Sequence, residues 1–276
     1  MQKIILVDNG SRRAEAVLNL HRLARQLSEK SGKPIHAVPL QHAHKIPAES
    51  FGDALGGKRV ATFSEYIEEA LTSGVDEFVI IPLFFGKSRA ITSFIPDTLD
   101  TLQKVYGKFS WSVADELCPL PGGEPKLARL LHENLGSLVN TQLTDLDYIV
   151  LVDHGSPSKE VTDVRVKLAE QLRPYLPEDT LLLQAVMERR EGREYDFNGP
   201  LLQDLMEKLA HEHEVLSVAI SMLFLSPGRH AGEGGDIVEI CSNAMRNHPG
   251  LSVHISPLVG DNPLLIDLLN DRLRGK

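Results

Sequence analysis

The stretch Val218-Ala-Ile-Ser-Met-Leu-Phe-Leu-Ser-Pro-Gly-Arg-His230 decides the fold and marks a candidate site. Its apolar run from residue 218 to residue 225 ends in a Ser-Pro-Gly turn, and Arg229 and His230 follow that turn. A short apolar run bounded by turn residues is typical of a strand buried on both faces of a parallel sheet. Ligands of open α/β sheets bind just beyond the carboxyl ends of such strands. His230 is therefore a candidate functional residue.

Apolar strand patterns alternate with helical patterns along the whole chain. Strands are predicted at residues 3–8, 35–40, 77–85, 109–117, 148–153, 180–187, 215–225 and 251–255. Helices are predicted at residues 12–30, 63–71, 93–106, 125–138, 157–172, 200–210, 236–247 and 263–273. This alternation indicates βαβ units, and so an α/β fold with parallel sheets covered by helices.

The pattern of the first half is repeated in the second half. Residues 4–11 align with 149–156, residues 83–90 with 223–230, and residues 119–125 with 257–263. Three matches in the same order predict a tandem duplication. We expect two domains, at residues 1–142 and 143–276, with the boundary in the segment 140–146.

The repeat allows the two halves to be compared within one sequence. Where the second half has His154, directly after a strand, the first half has Asn9, and where the second half has His230 the first has Ala90. Both histidines differ together while their apolar strands persist, which indicates a shared role. The alternative is that both are ordinary loop histidines.

Two imidazoles at one site can bind a divalent metal or accept protons near neutral pH, because the ordinary histidine pKa is ~6.5. Two ligands without a further thiolate or carboxylate make a poor permanent metal site, which favours transient metal handling. Glu188, at the end of the second strand of the same half, is a candidate third member that could act as a base or ligand. A solvated loop glutamate is the alternative interpretation.

Four arginines lie near the predicted site, namely Arg189, Arg190, Arg193 and Arg229. Guanidinium groups suit carboxylates. On a chain with a formal net charge of −9, this cluster indicates a polyanionic substrate. A solvated basic loop is the alternative. Two weaker signals, His42-Ala-His44 and His211-Glu-His213, lack a third ligand at a diagnostic spacing.

Composition excludes several classes of protein. The net charge of −9 argues against a general nucleic-acid binder. No run of residues approaches the ~20 apolar positions that a membrane-spanning helix needs. The amino terminus begins in a strand pattern and has no signal-peptide features. The 2 cysteines form no CxxC motif or disulfide framework. We expect a cytoplasmic protein that is a monomer or homodimer and does not bind membranes.

Val152-Asp-His154-Gly-Ser156 and Phe224-Leu-Ser-Pro-Gly-Arg-His230 resemble the signature strands of the class II tetrapyrrole chelatases. The resemblance is greatest to the CbiX/SirB-type sirohydrochlorin chelatases and covers nearly the whole chain as two repeats. It implies two flavodoxin-like α/β domains with the active site in the cleft between them. It also implies ATP-independent insertion of Co2+ or Fe2+ into sirohydrochlorin, a polycarboxylate tetrapyrrole, in cobalamin or sirohaem biosynthesis.

The resemblance implies that His154 and His230 handle the metal and accept protons. The metal ion would be a substrate, and no permanently bound cofactor is expected. The chain departs from the pattern in which the histidine pair often lies in the N-terminal half. That departure leaves open which metal is used. A non-catalytic tetrapyrrole- or metal-binding protein of the same fold is one alternative, and a flavodoxin-like binding protein for another small anion is a further one.

Overall fold

The computed structural model describes residues 1–138 and 141–275. Eight strands, β1 to β8, are Gln2–Val7, Ile35–Ala37, Glu77–Pro82, Ser110–Val113, Tyr148–Asp153, Leu181–Val186, Leu216–Met222 and Leu251–Ile255. Eight α-helices, α1 to α8, are Ala14–Ser31, Phe63–Thr72, Ile95–Tyr106, Pro125–Gly136, Lys159–Leu172, Leu202–Glu212, Asp236–Asn247 and Leu264–Arg274. Asn140, where the predicted boundary segment begins, lies outside the described residues.

The strands form two parallel sheets of the same topology. The first sheet has the order β2-β1-β3-β4 and the second has β6-β5-β7-β8. All pairs are parallel, with Ile149 opposite Leu182 on one side and Ala219 on the other. The fold class and the internal duplication predicted from the sequence are confirmed.

The central strands are buried because helices cover both faces of each sheet. Residues Ile149, Val150, Leu151 and Val152 of β5 are all fully buried. A strand buried on both faces needs a continuous apolar run, so the sequence pattern does not alternate there. The apolar run of β7 extends beyond the strand, since Leu223 is buried and its N–H donates to the Val152 carbonyl.

Helix bounds agree closely with the sequence pattern, with one local difference. A π-helical turn, Ala90–Phe94, precedes α3 in the first sheet's domain. The capping box of Thr62 and Glu65 fixes the start of α2. Within the described residues, no helix combines the length and the apolar character that crossing a membrane requires.

The compact units and the sequence repeats are not coextensive. One unit consists of residues 1–119 and 266–276, and the other of residues 120–265. Helix α4 packs against α5 and β7 in the second unit. In the first unit, Arg272 of α8 donates to the carbonyl oxygens of Glu116 and Leu117. The last helix of each repeat thus belongs to the other repeat's compact unit, because helix packing does not follow the order of the chain.

Candidate metal-binding site

Three side chains of the second unit come together at one point. One potential ligand atom from each of His154, Glu188 and His230 lies within 4.8 Å of the other two. The two imidazole rings meet edge to face with their centroids 4.8 Å apart. The Nε2 atom of His230 is 3.3 Å from Oε1 of Glu188. The structure therefore brings together the two histidines and the glutamate that the sequence offers as the candidate third member.

The three residues meet because their strands are neighbours in the sheet. His154 follows β5 directly, Glu188 lies two residues beyond β6, and His230 lies in the loop between β7 and α7. Backbone pairing continues past the end of β5, since the Glu188 N–H donates to the His154 carbonyl at 3.0 Å. That bond sets the glutamate beside the histidine.

Gly155 makes this close approach possible. Its φ is +86°, in the left-handed region that favours glycine. A Cβ atom at this position would lie 1.9 Å from the carbonyl oxygen of Glu188, so any side chain would push the two loops apart. The glycine after His154 thus allows the backbone of Glu188 to approach closely enough for the two side chains to share one site.

Asp236 fixes the orientation of His230. Its Oδ2 atom lies 2.8 Å from Nδ1 of His230. A carboxylate accepts hydrogen bonds, so Nδ1 is the donor in this contact, and Nε2 is left as the nitrogen on the side of Glu188, where it can serve as a metal ligand. Asp236 is the first residue of α7, and the loop closes onto that helix through the Ile237 N–H and the His230 carbonyl at 3.1 Å.

Arg229 lies between the two carboxylates of the site. Its guanidinium is 3.0 Å from Oε1 of Glu188 and 3.3 Å from Oδ2 of Asp236. Among the acidic and guanidinium side chains of the cluster, the two carboxylates of Glu188 and Asp236 outnumber the single guanidinium of Arg229. His230 is buried, whereas His154 and Glu188 are exposed. The cluster therefore suits a cation that arrives from solvent.

The family model described as CbiX matches the chain twice, at residues 3–138 and at residues 148–276. The chain belongs to the CbiX family. The two matches correspond to the two predicted repeats, and they confirm the resemblance seen in the sequence motifs around His154 and His230.

Known proteins similar to this CbiX chain include a curated relative and two solved structures. The sirohydrochlorin ferrochelatase of Arabidopsis thaliana chloroplasts is 30% identical over 140 residues, which are 50% of this chain and 56% of that protein. SirB from Bacillus subtilis with Fe3+ has a TM-score of 0.72 at 14% identity, covering 99% of this chain and 94% of that one. SirB from Bacillus subtilis subspecies spizizenii in complex with cobalt has a TM-score of 0.65 at 13% identity, with the same coverage. At these identities the solved structures show the fold.

A buried polar network supports the site loop of the second CbiX repeat. Arg165, which is 2% exposed, lies 2.6 Å from Oδ1 of Asp153 and donates to the Asn198 carbonyl at 2.6 Å. The same Asp153 oxygen accepts the Gly155 N–H at 3.0 Å, and the Asn198 side chain bonds both backbone groups of Ser156. Burial raises the pKa of Asp153, and the Arg165 charge opposes that shift. These hydrogen bonds fix the segment from Asp153 to Ser156, which contains His154, against the buried side chains of Arg165 and Asn198.

The predicted substrate-binding arginines of the CbiX repeat lie in one exposed segment after Glu188. Arg189 donates to the Gly199 carbonyl at 3.1 Å and lies 3.5 Å from Asp196. The Arg190 guanidinium lies over the Tyr195 ring, 5.8 Å from its centroid. Arg193 is exposed at the start of the 3₁₀ segment Arg193–Asn198. Arg229 differs from these three because it already contacts Glu188.

The other histidine motifs of the chain do not join this cluster. His211 contacts His248 with ring centroids 4.8 Å apart, and His213 bonds the Tyr148 hydroxyl at 3.2 Å. His42 directly precedes the 3₁₀ segment Ala43–Lys45 of the first unit, and His44 lies within that segment. In the parts of the chain that the structure describes, His154, Glu188 and His230 form the one group of three close potential ligands.

Sequence reasoning missed Asp236 and Arg165. An acidic residue directly after a glycine-rich turn at a helix start is a signal for Asp236, but that pattern is common for helix capping alone. Arg165 lies inside a helix, where a charged residue ordinarily faces solvent. The buried position of its guanidinium depends on Asp153, which the chain brings from the neighbouring strand.

Proposed function

We propose that this chain is a sirohydrochlorin chelatase that inserts Co2+ or Fe2+ into the tetrapyrrole without ATP. One observation carries the proposal: ligand atoms of His154, Glu188 and His230 lie within 4.8 Å of one another at the ends of adjacent parallel strands. Two imidazoles and a carboxylate suit divalent transition metals. The metal ion is a substrate, taken up and passed on.

The donor set favours transient binding. A structural metal site is usually closed by four protein ligands, often thiolates, whereas a site with three protein ligands keeps positions open for exchange. Both cysteines, Cys118 and Cys241, are buried. His154 and Glu188 are exposed, so a hydrated ion reaches them directly. The two carboxylates attract the ion, and the coordination positions that the protein leaves open allow it to be passed on.

Metal insertion exchanges a divalent ion for two pyrrole N–H protons. Those protons need acceptors close to the metal. A carboxylate or a neutral imidazole that has just released the ion regains a lone pair and can accept a proton. We assign this role to Glu188 and His154, whose exposure leaves them open to the substrate, and we assign to buried His230 the role of a fixed ligand.

Arg189, Arg190 and Arg193 are proposed to bind the carboxylates of the tetrapyrrole. All three are exposed in the segment that begins directly after Glu188. Guanidinium groups bind carboxylates with charge-assisted, often bidentate hydrogen bonds. Arg229 is proposed to act nearer the metal, by holding Glu188 at 3.0 Å.

Similar proteins support this proposal. The curated relative from Arabidopsis thaliana is named a sirohydrochlorin ferrochelatase, and the two Bacillus structures hold Fe3+ and cobalt. The chain spans only 56% of the length of that relative, and the structures are distant in sequence. The proposal of this activity therefore rests chiefly on the cluster of His154, Glu188 and His230.

The test is anaerobic absorption spectroscopy of metal-free sirohydrochlorin with Fe2+ or Co2+, with and without the purified chain. We expect the protein to accelerate the spectral change. The substitutions His154→Asn and Glu188→Gln should each abolish most of the acceleration. The first repeat carries Asn9 at the place of His154, and it carries Gln41 at the place of Glu188, since the Gln41 carbonyl lies against Gly10 as the Glu188 carbonyl lies against Gly155. These side chains are therefore compatible with the scaffold. His213→Ala is the matched control outside the cluster and should retain full rate.

The result that would sink the proposal is the absence of acceleration with Fe2+, Co2+ and Ni2+ alike. Stoichiometric pigment binding without turnover would instead assign the chain to the non-catalytic tetrapyrrole-binding class. Co2+ titration followed by the visible absorption of the bound ion gives a separate readout. It should show a site that is lost in His230→Ala and kept in His213→Ala.

A further inference from the structure

The first unit has its own cavity at the carboxyl edge of its sheet. The volume of this cavity is about 400 Å³. That volume accommodates a small ligand or one part of a larger one. Its polar and aromatic lining consists of Asn9, Gln41, Arg89, Ser93, Phe94 and Asp97.

This cavity occupies the position that the metal cluster has in the second unit. Asn9 and Ala90 stand where His154 and His230 stand in the other repeat. Gln41 corresponds to Glu188 by geometry, because a Cβ on Gly10 would lie 1.8 Å from the Gln41 carbonyl oxygen, as one on Gly155 would from Glu188 at 1.9 Å. The backbone arrangement is thus retained while all three metal-ligand types are replaced.

The charge of the cavity changes with these replacements. In the second unit, Arg229 is held by two carboxylates, Glu188 at 3.0 Å and Asp236 at 3.3 Å. Its counterpart Arg89 lines the cavity together with Gln41, which has no charge. Across residues 1–138 and 141–275, no ion pair or hydrogen bond engages the Arg89 guanidinium, and Asp97 on the cavity wall is not ion-paired with it either. An exposed guanidinium is therefore available in a cavity that holds two side-chain amides.

Two backbone features border the same cavity. The π-helical turn Ala90–Phe94 contributes Ala90, Ser93 and Phe94 to its wall, and π-helical turns are frequent at functional sites. His42, directly after Gln41, has φ 67° and ψ −36°, which is an unfavourable conformation for a residue other than glycine. Backbone strain is frequent beside ligand sites. It supports the interpretation of this cavity as a ligand site, for which the lining side chains are the main evidence.

We propose that this cavity binds a carboxylate group, with Arg89 as the cationic partner and Asn9 and Gln41 as amide donors. Guanidinium and amide N–H groups are the donors that carboxylates accept from, and the cavity has lost the histidines and the glutamate that would hold a cation. The carboxylate belongs either to the tetrapyrrole, a source that rests on the proposed function, or to a free small polycarboxylic acid. Phe94 supplies an apolar surface for the carbon chain that bears the carboxylate.

The test is isothermal titration calorimetry of the full chain with two probes, metal-free sirohydrochlorin and tricarballylate. Arg89→Met removes the charge at similar length, and Gln41→Glu supplies Arg89 with an internal partner as in the second unit. Each variant should weaken binding of the responsible probe by about tenfold or more, the cost of losing a charge-assisted hydrogen bond. The matched control is Arg25→Met, an exposed arginine of α1 that does not line the cavity and should bind as the unmodified chain does.

The two probes separate the two proposals. If the chain binds sirohydrochlorin and neither variant changes the affinity for either probe, the cavity proposal is overturned and the proposed function stands. If the chain binds no sirohydrochlorin, the proposed function fails, and the binding of tricarballylate then tests whether the cavity is a carboxylate site. Binding that depends on Arg89 then supports a site for free polycarboxylic acids, and the lack of such binding overturns it.

Discussion

Replacing Asp8 with asparagine should remove a pH-dependent loss of stability from the first unit. Burial raises the pKa of Asp8 from its ordinary value of 3.8 to about 6, and the hydrogen bond from the Gly10 N–H only partly opposes this. In the second repeat the corresponding Asp153 lies against Arg165, twelve residues further along the chain. At the same distance from Asp8 the chain has Leu20, which is fully buried.

The sign of the effect follows from the direction of the shift. Between pH 4 and pH 6 the unfolded chain has already lost the Asp8 proton and the folded chain still holds it. The folded state therefore binds more protons, and the free energy of unfolding falls as pH rises through this window. The rise of the Asp8 pKa to about 6 corresponds to about 3 kcal/mol at most, lost by pH 7 and fully regained only below the ordinary pKa of 3.8.

Urea unfolding followed by tryptophan fluorescence measures this effect in the first compact unit, which contains Asp8. The chain has 1 tryptophan, Trp111, which lies on β4 of the sheet that contains β1. Asp8→Asn keeps an oxygen acceptor for the Gly10 N–H and carries no charge at any pH. Its stability relative to the unmodified chain should increase by about 2 kcal/mol from pH 4 to pH 7. Asp115→Asn, at an exposed position, is the control for the loss of one charge.

Parallel stability curves for the unmodified chain and Asp8→Asn across pH 4 to 7 would refute the reasoning. A difference that grows above pH 7 instead of between pH 4 and pH 6 would also contradict it, because the carboxyl is then already ionised in both states. The same pH dependence in Asp115→Asn would show that the effect comes from net charge and not from burial at Asp8.

Three further predictions concern the second unit. Arg165→Leu should lower the free energy of unfolding by about 3–5 kcal/mol, because it leaves the buried Asp153 carboxylate without its partner. In urea titrations of the double variant, the added substitution Asp153→Asn should recover much of the lost stability. Asp236→Asn should lower Co2+ affinity or the metal insertion rate by about 10–100-fold, because it disturbs the protonation and orientation of His230, and an unchanged rate would argue against that role. Gly155→Ala should weaken Co2+ binding by separating the His154 loop from Glu188, which Co2+ titration of the folded variant would detect.

The fold was largely predictable because a central strand that is buried on both faces must be apolar at successive positions, and such a run is easy to recognise in the sequence. Residues 149–152 are apolar in sequence and fully buried in the structure. Strand ends were less predictable, since the chain stays buried after the ladder stops, as at Leu223. The membership of α4 and α8 in the compact units was not predictable, because an amphipathic pattern shows that a face is buried and not which sheet covers it.

The candidate site was predictable only in part. His154 and His230 stood out because the first repeat lacks both, which made the chain its own control. Glu188 looked equally like a solvated loop residue, and only the backbone pairing with His154 places it at the site. Asp236 acts through a contact formed when the loop folds back onto α7. Five residues of glycine-rich loop separate it from His230, so no periodic sequence pattern indicates that contact.

The two repeats also show which residues serve the scaffold and which serve the chemistry. Gly10 and Gly155 occur at the same place because each lets a loop approach the neighbouring strand within the space of a missing Cβ. His154 and Glu188 have no such counterparts, and the first repeat builds the same edge with Asn9 and Gln41. The scaffold therefore does not need the metal ligands. If His154→Asn or Glu188→Gln removes activity, the loss belongs to the chemistry of the cluster, since the chain already folds with those side chains in the equivalent position.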